Sequence, residues 1–131
     1  MDTHAQKTVL IVEDDMLLQV TLTQQFSDAG YRVVAAKDGE EGIAAFLKES
    51  PDAVILDVMM PRKDGVEMLE EIREKMPESR VPFIVLSNAN DMDYVARAMA
   101  AGAVAYLLKS DRQIDSVVSL VSEKIRKTSE G

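Results

Sequence analysis

The sequence predicts an α/β fold, a parallel sheet covered by helices on both faces. Three observations carry this. Short apolar runs without polar alternation recur at residues 8–12, 54–56, 81–86 and 103–108, as in strands buried on both sides. Stretches with apolar residues at helical spacing lie between them. Residues suited to capping helices open those stretches. Strand and helix alternate, five of each, and right-handed crossovers leave few topologies.

Taken in order, Thr8 to Val12 is the first strand, closed by Glu13-Asp14-Asp15. The first helix carries Leu18, Leu22, Phe26 and Ala29 on one face, and Gly30 suits the left-handed residue that ends it. Residues 31–35 form the second strand. Asp38 and Glu41 have capping-box spacing and open a helix with Ile43, Phe46 and Leu47 inward, stopped by Pro51. The third strand ends at Asp57. Asp64 and Glu67 repeat the box before a helix burying Val66, Leu69, Ile72 and Met76. Residues 81–86 are the fourth strand, with Pro82 tolerated only near its start. Asn90 or Asp91 caps a fourth helix bearing Val95 and Met99, which Gly102 ends. The fifth strand runs from 103 to 108. Asp111 starts the last helix, with Ile114, Val117, Val118, Val121 and Ile125 inward and Lys124, Arg126 and Lys127 in its last turn.

The 131 residues suit one domain: a polar tail at 1–7, the folded unit at 8–127 and a second tail at 128–131. No cysteine is present, so disulfide and thiol chemistry are excluded, which fits a reducing compartment. The net charge of -8 disfavours direct contact with nucleic acid. No apolar run approaches the roughly 20 residues needed to span a bilayer. Residues 1–7 lack the apolar core of a signal peptide. The expected location is cytoplasmic, without membrane insertion.

In a sheet of this kind every strand's carboxyl end lies on one edge. Four strands end in reactive side chains: Glu13 and Asp14 after the first, Asp57 after the third, Ser87 after the fourth, Lys109 after the fifth. Carboxylates crowded together raise one another's pKa, and a hard divalent cation relieves the repulsion. Mg2+ takes one or two carboxylates, keeps waters and leaves room for phosphate oxygens. A carboxylate beside it can attack a phosphoryl group and form an acyl phosphate. Such transfer needs positioning and charge neutralisation, which Lys109 and Ser87 could supply together with the metal. Asp15, one residue past the acidic pair, is assigned to capping the first helix.

The residues Leu10-Ile11-Val12-Glu13-Asp14-Asp15, Val54-Ile55-Leu56-Asp57-Val58-Met59-Met60-Pro61, Asp64-Gly65, Val85-Leu86-Ser87, and Gly102-Ala103 through Tyr106-Leu107-Leu108-Lys109 together resemble the receiver domain of two-component response regulators, over roughly residues 8 to 127. The resemblance implies a flavodoxin-like fold with strand order 2-1-3-4-5. It implies Asp57 as phosphoacceptor, and Glu13, Asp14, Asp57 and the Met59 carbonyl around Mg2+. Ser87 and Lys109 would bind the phosphoryl group, and Tyr106 would be the aromatic switch residue. The implied donor is a sensor histidine kinase or a histidine phosphotransfer protein. The domain would catalyse its own phosphorylation and slow dephosphorylation. Its output partner would bind the face of helix 4, strand 5 and helix 5.

The sequence departs from the family at Ser110, where proline joined by a cis peptide is usual; a non-proline cis bond costs about 2.5 to 4 kcal/mol, so a trans Lys109–Ser110 bond is expected. Asn88 stands where a small apolar residue is commoner. No output domain follows the last helix, so a stand-alone regulator read by another protein is expected. Met59 and Ala89 flank the expected path of the attacking water. Two rival readings are a pseudo-receiver that never takes phosphate and a Mg2+-dependent phosphatase with an aspartyl nucleophile. The phosphatase would carry a second acid two residues after the nucleophile, where Met59 stands.

Overall fold

The structure, a computed structural model, describes residues 6–60, 62–88, 90–110 and 116–130. The expectations placed on Pro61, Ala89, Asp111 and Ile114 lie outside the described residues.

Ten elements alternate: β1 (Thr8–Val12), α1 (Met16–Asp28), β2 (Arg32–Ala36), α2 (Gly39–Glu49), β3 (Ala53–Asp57), α3 (Gly65–Lys75), β4 (Phe83–Ser87), α4 (Met92–Ala100), β5 (Ala105–Leu108) and α5 (Val117–Glu130). The strands form one sheet in the order β2-β1-β3-β4-β5, every pair parallel. The three inner strands β1, β3 and β4 are buried throughout, which is why their sequences read as unbroken apolar runs. The edge strands β2 and β5 are partly exposed.

Alternate residues of each strand serve two cores. Val9, Ile11, Ile55, Ile84 and Leu86 pack with Leu22 and Phe26 of α1 and with Val117, Val121 and Ile125 of α5. Leu10, Val12, Val54, Leu56 and Val85 pack with Ile43 and Phe46 of α2, Val66, Leu69 and Ile72 of α3, and Ala98 of α4. The chain leaves β1 in opposite senses for β2 and β3. The crevice between the carboxyl ends of β1 and β3 is therefore the switch point, where open α/β sheets bind ligands.

Local chemistry explains most element boundaries. Asp64 and Glu67 form the full reciprocal capping box at α3. At α2 only half of it exists: Asp38 Oδ1 accepts from Glu41 N–H at 2.9 Å, while the Glu41 carboxylate turns to Lys37 N–H at 3.1 Å. Gly30 and Gly102 follow α1 and α4 with positive φ, the conformation that costs glycine least. Asp91 stands at the N-cap of α4, but its carboxylate makes no capping bond and accepts instead from Asn88 N–H at 3.3 Å.

Several sequence expectations shift. Tyr31 precedes β2 and sets its ring edge-on to Phe26, 5.4 Å between centroids. β4 begins at Phe83, after Pro82, which has no N–H to donate. β5 begins at Ala105, because the Ala103 N–H goes back to Ala98 O of α4. Ala29, Leu47, Met76 and Met99 are exposed rather than inward; Ala29 and Met76 are C-caps, already past the last helical turn. α5 runs to Glu130, so residues 128–130 are helical rather than a tail, and Lys127 is the basic residue of the last turn. Thr128 Oγ1 donates to Lys124 O within that helix at 2.9 Å. Among the described residues no helix is long and apolar enough to cross a membrane.

Candidate functional site

The carboxyl ends of β1, β3, β4 and β5 bring Glu13, Asp14, Asp57, Ser87 and Lys109 to one edge of the sheet. Each arrives by a local route. Glu13 follows β1 and is fully buried; its N–H donates to Ala36 O of the neighbouring strand at 3.0 Å. Asp15 is the N-cap of α1, its Oδ1 accepting from Leu17 N–H at 3.0 Å and Leu18 N–H at 3.3 Å. That capping role takes Asp15 out of the cluster and leaves Asp14 in it. Asp57 ends β3, is 2% exposed, and its Oδ1 accepts from Met59 N–H at 3.1 Å.

The backbone around Asp57 is tightly crowded. Gly65 N–H donates to Val58 O at 3.1 Å. A Cβ on Gly65 would stand 2.2 Å from Asp57 O, so only glycine fits there without displacing the strand end.

Lys109 follows β5 and reaches across two strands. Its Nζ lies 2.6 Å from Asp57 Oδ2, 3.1 Å from Glu13 Oε1 and 3.2 Å from Glu13 Oε2. The Lys109 N–H donates to Ser87 O at 2.9 Å, which fixes the start of this reach. No peptide bond among the described residues is cis, so the Lys109–Ser110 bond is trans. The Ser87 hydroxyl is buried and has no hydrogen-bond partner. Tyr106 pairs in register with Val85, two residues before Ser87, and is 41% exposed. Met59 is also 41% exposed, at the mouth of the site.

Glu13, Asp14 and Asp57 each present a carboxylate oxygen within 4.8 Å of the others. Two of the three groups are buried, and among the described residues one ammonium, that of Lys109, faces them. Burial pushes Glu13 up to about 7, and the charge of Asp57 adds to the rise, while the Asp15 N–H and Lys109 oppose it. Burial also raises Asp57, with Lys109 and the Met59 N–H pulling the other way. For Lys109, burial disfavours the ammonium, but Asp57 and Glu13 outweigh it and the pKa stands above its ordinary value. The cluster thus holds more negative charge than it can neutralise. Its oxygen-only donor set, with Glu13 Oε1 buried, accepting no well-directed hydrogen bond and facing only the Lys109 ammonium at 3.1 Å among the described residues, fits a hard divalent cation.

Residues 9–119 match the family profile of the response regulator receiver domain. The chain belongs to that family. The receiver is 39% identical over 109 residues to the transcriptional regulatory protein PdtaR of Mycobacterium tuberculosis, covering 82% of this chain and 52% of that protein. It is 43% identical over 103 residues to the probable C4-dicarboxylate response regulator DctR of Bacillus subtilis, covering 77% and 45%. Among solved structures, it superposes on a CheY-like response regulator receiver domain protein from Methanospirillum hungatei with a TM-score of 0.87 at 25% identity, covering 96% of this chain and 98% of that one. A putative response regulator from Chloroflexus aurantiacus gives 0.84 at 30% identity, covering 93% and 99%. The receiver spans about half the length of the curated relatives it matches.

Sequence reasoning missed the contacts that hold the cluster from behind. The Asp15 N–H donates to Glu13 Oε2 at 3.0 Å, so one residue caps a helix and also orients the neighbouring acid. Gln19 bonds to the backbone of Glu13. The sequence does not single it out, because α1 also carries Gln24 and Gln25 among several other polar residues.

Proposed function

We propose that this receiver accepts a phosphoryl group on Asp57 in the presence of Mg2+ and changes its output face in response. The observation that carries this reading is Asp57 itself: a buried carboxylate at a strand end, paired with Lys109 and grouped with Glu13 and Asp14. A structural acid would not need two further acids beside it.

Glu13, Asp14, Asp57 and the Met59 carbonyl would hold Mg2+, Glu13 mainly through water. When bound, the cation screens charge between the acids and the incoming phosphoryl oxygens. An Asp57 oxygen attacks phosphorus, and the bond from phosphorus to the donor nitrogen breaks, leaving its electron pair on the donor imidazole. Lys109 already stands beside Asp57 and would pair with a phosphoryl oxygen. The free Ser87 hydroxyl would donate to another. The donor would be a histidine kinase or a phosphotransfer protein, and a cytoplasmic location fits such a donor. Met92, Met99, Val104 and Tyr106 leave apolar surface exposed on α4, just before β5 and on β5, where an output partner would bind. The net charge of -8 argues against this part touching nucleic acid itself.

Incubation with acetyl phosphate and Mg2+, followed by intact mass, tests the reading. The expected result is the gain of one phosphoryl group, abolished in Asp57→Asn. Continuous release of phosphate without a stable adduct would indicate a phosphatase. No adduct and no turnover would indicate a pseudo-receiver.

A further inference from the structure

Gln19 is a half-buried residue of α1 whose side-chain amide reaches the backbone rather than the acids of the site. Its amide nitrogen donates to two backbone carbonyls, Glu13 O at 2.9 Å and Ala36 O at 3.1 Å. A glutamine amide carries two N–H donors, so both bonds can form together. The carbonyls belong to the ends of adjacent strands, and Ala36 O also accepts from the Glu13 N–H. Glu13 is therefore held at three points: its N–H by Ala36, its C=O by Gln19, and its carboxylate by the Asp15 N–H at 3.0 Å. Asp15 caps the helix on which Gln19 sits. The contacts close a ring from Glu13 through Asp15 and α1 to Gln19 and back. Asp14 lies inside that ring.

We propose that Gln19 is a positioning residue for the acidic loop, setting the backbone of Glu13 and Asp14 so that their oxygens can share Mg2+ with Asp57. The inference rests on the Mg2+-dependent reading above. It acts through the backbone: with the Glu13 carbonyl released, the turn between β1 and α1 gains rotational freedom, and the oxygens no longer converge in advance. Groups that hold metal ligands from behind matter by about 10- to 100-fold in affinity.

The test compares Mg2+ dissociation constants and amide exchange in the parent, Gln19→Met and Leu22→Val. Methionine keeps the length and the helix propensity but removes the donors. Leu22 lies on the same helix and is fully buried in the apolar core shared with α5. Gln19→Met should weaken Mg2+ binding about tenfold and speed exchange of the Asp15 amide. Leu22→Val should lower the melting temperature at least as much, yet leave Mg2+ affinity within about twofold. If Gln19→Met does not fold, Gln19→Asn replaces it, since it keeps the amide but shortens its reach. Unchanged Mg2+ affinity in the Gln19 variant against a binding parent overturns this inference alone, as does an equal loss in Leu22→Val. A parent that binds no Mg2+ overturns the functional reading and this inference together.

Discussion

Lys109 Nζ lies 2.6 Å from Asp57 Oδ2, across 52 residues of sequence. The same ammonium lies 3.1 Å from Glu13 Oε1. One lysine from an edge strand thus serves as internal counter-ion to acids on two inner strands. The balance is incomplete, because burial still holds both carboxyl groups above their ordinary pKa.

Asp57→Asn should therefore melt higher than the parent in EDTA near neutral pH. The substitution keeps the shape, removes one crowded charge and leaves Lys109 paired with Glu13. A gain of roughly 1 kcal/mol is expected for relieving one such repulsion. Mg2+ should stabilise the parent by binding linkage and the variant less, narrowing the gap. Thermal melts with and without Mg2+ decide it; equal or lower melting in EDTA would mean the acids do not strain one another.

The metal-free protein should lose stability as pH rises from about 4.5 to about 7. Between these values folded Glu13 keeps a proton that its unfolded counterpart, with an ordinary pKa of 4.5, has released. The folded state binds more protons there, so raising the pH favours unfolding. Asp57 is raised and acts in the same direction. Glu49, Glu71 and Glu123 are lowered, chiefly by hydrogen bonds from Arg32, Lys63 and Lys127, and bear on lower pH. Mg2+ needs the deprotonated acids, so its affinity should climb over the same upper range. Urea titrations in EDTA at pH 5 and pH 7.5 measure the first effect, and calorimetry the second.

Lys109→Met should destabilise the metal-free protein. It removes the one ammonium facing the described cluster and leaves buried carboxylates unpaired. Breaking a buried pair costs about 3 to 5 kcal/mol, and partial solvent access at Lys109 reduces this to about 2. In the Asp57→Asn background the loss should be smaller, because fewer charges are left without a partner. A double-mutant cycle in denaturant reads the coupling; additive losses would show that Lys109 acts elsewhere.

Beryllofluoride with Mg2+ should move amide resonances well beyond Asp57. The Ser87 hydroxyl is buried without a partner, and Tyr106 on the adjacent strand is exposed. A phosphoryl mimic that draws the hydroxyl inward would free space for the Tyr106 ring, shifting the surface of α4 and β5. Ser87→Ala should confine the shifts to the neighbourhood of Asp57. If the parent shows no change at Tyr106 and its neighbours, the proposed switch is wrong.

Much of this was legible in the chain itself. The three buried runs declared the inner strands, because a strand covered on both faces needs apolar side chains on both. Asp57 was conspicuous as a lone charge ending such a run, and parallel topology alone sends Glu13, Ser87 and Lys109 to the same edge. Asp15 was separable from Asp14 because capping depends only on residues two and three places ahead.

Tertiary structure decided what spacing cannot encode. The identical box spacing at α2 and α3 closes fully only at α3, because Glu41 finds Lys37 N–H instead. Leu47 and Met99 have helical spacing but are exposed, while Ile43 and Phe46 on α2 and Val95 and Ala98 on α4 are the ones buried. Lys109 meets Glu13 across 96 residues only because the parallel sheet sends the ends of β1 and β5 to one edge, where the long lysine side chain spans the ends of β4 and β3 between them. Gln19 meets the ends of two strands only because α1 packs back over them. Local burial and capping are set by neighbours within one turn or one strand, and the sequence records them. Which distant side chains touch depends on strand order and helix packing, and those exist only once the chain has closed into a sheet.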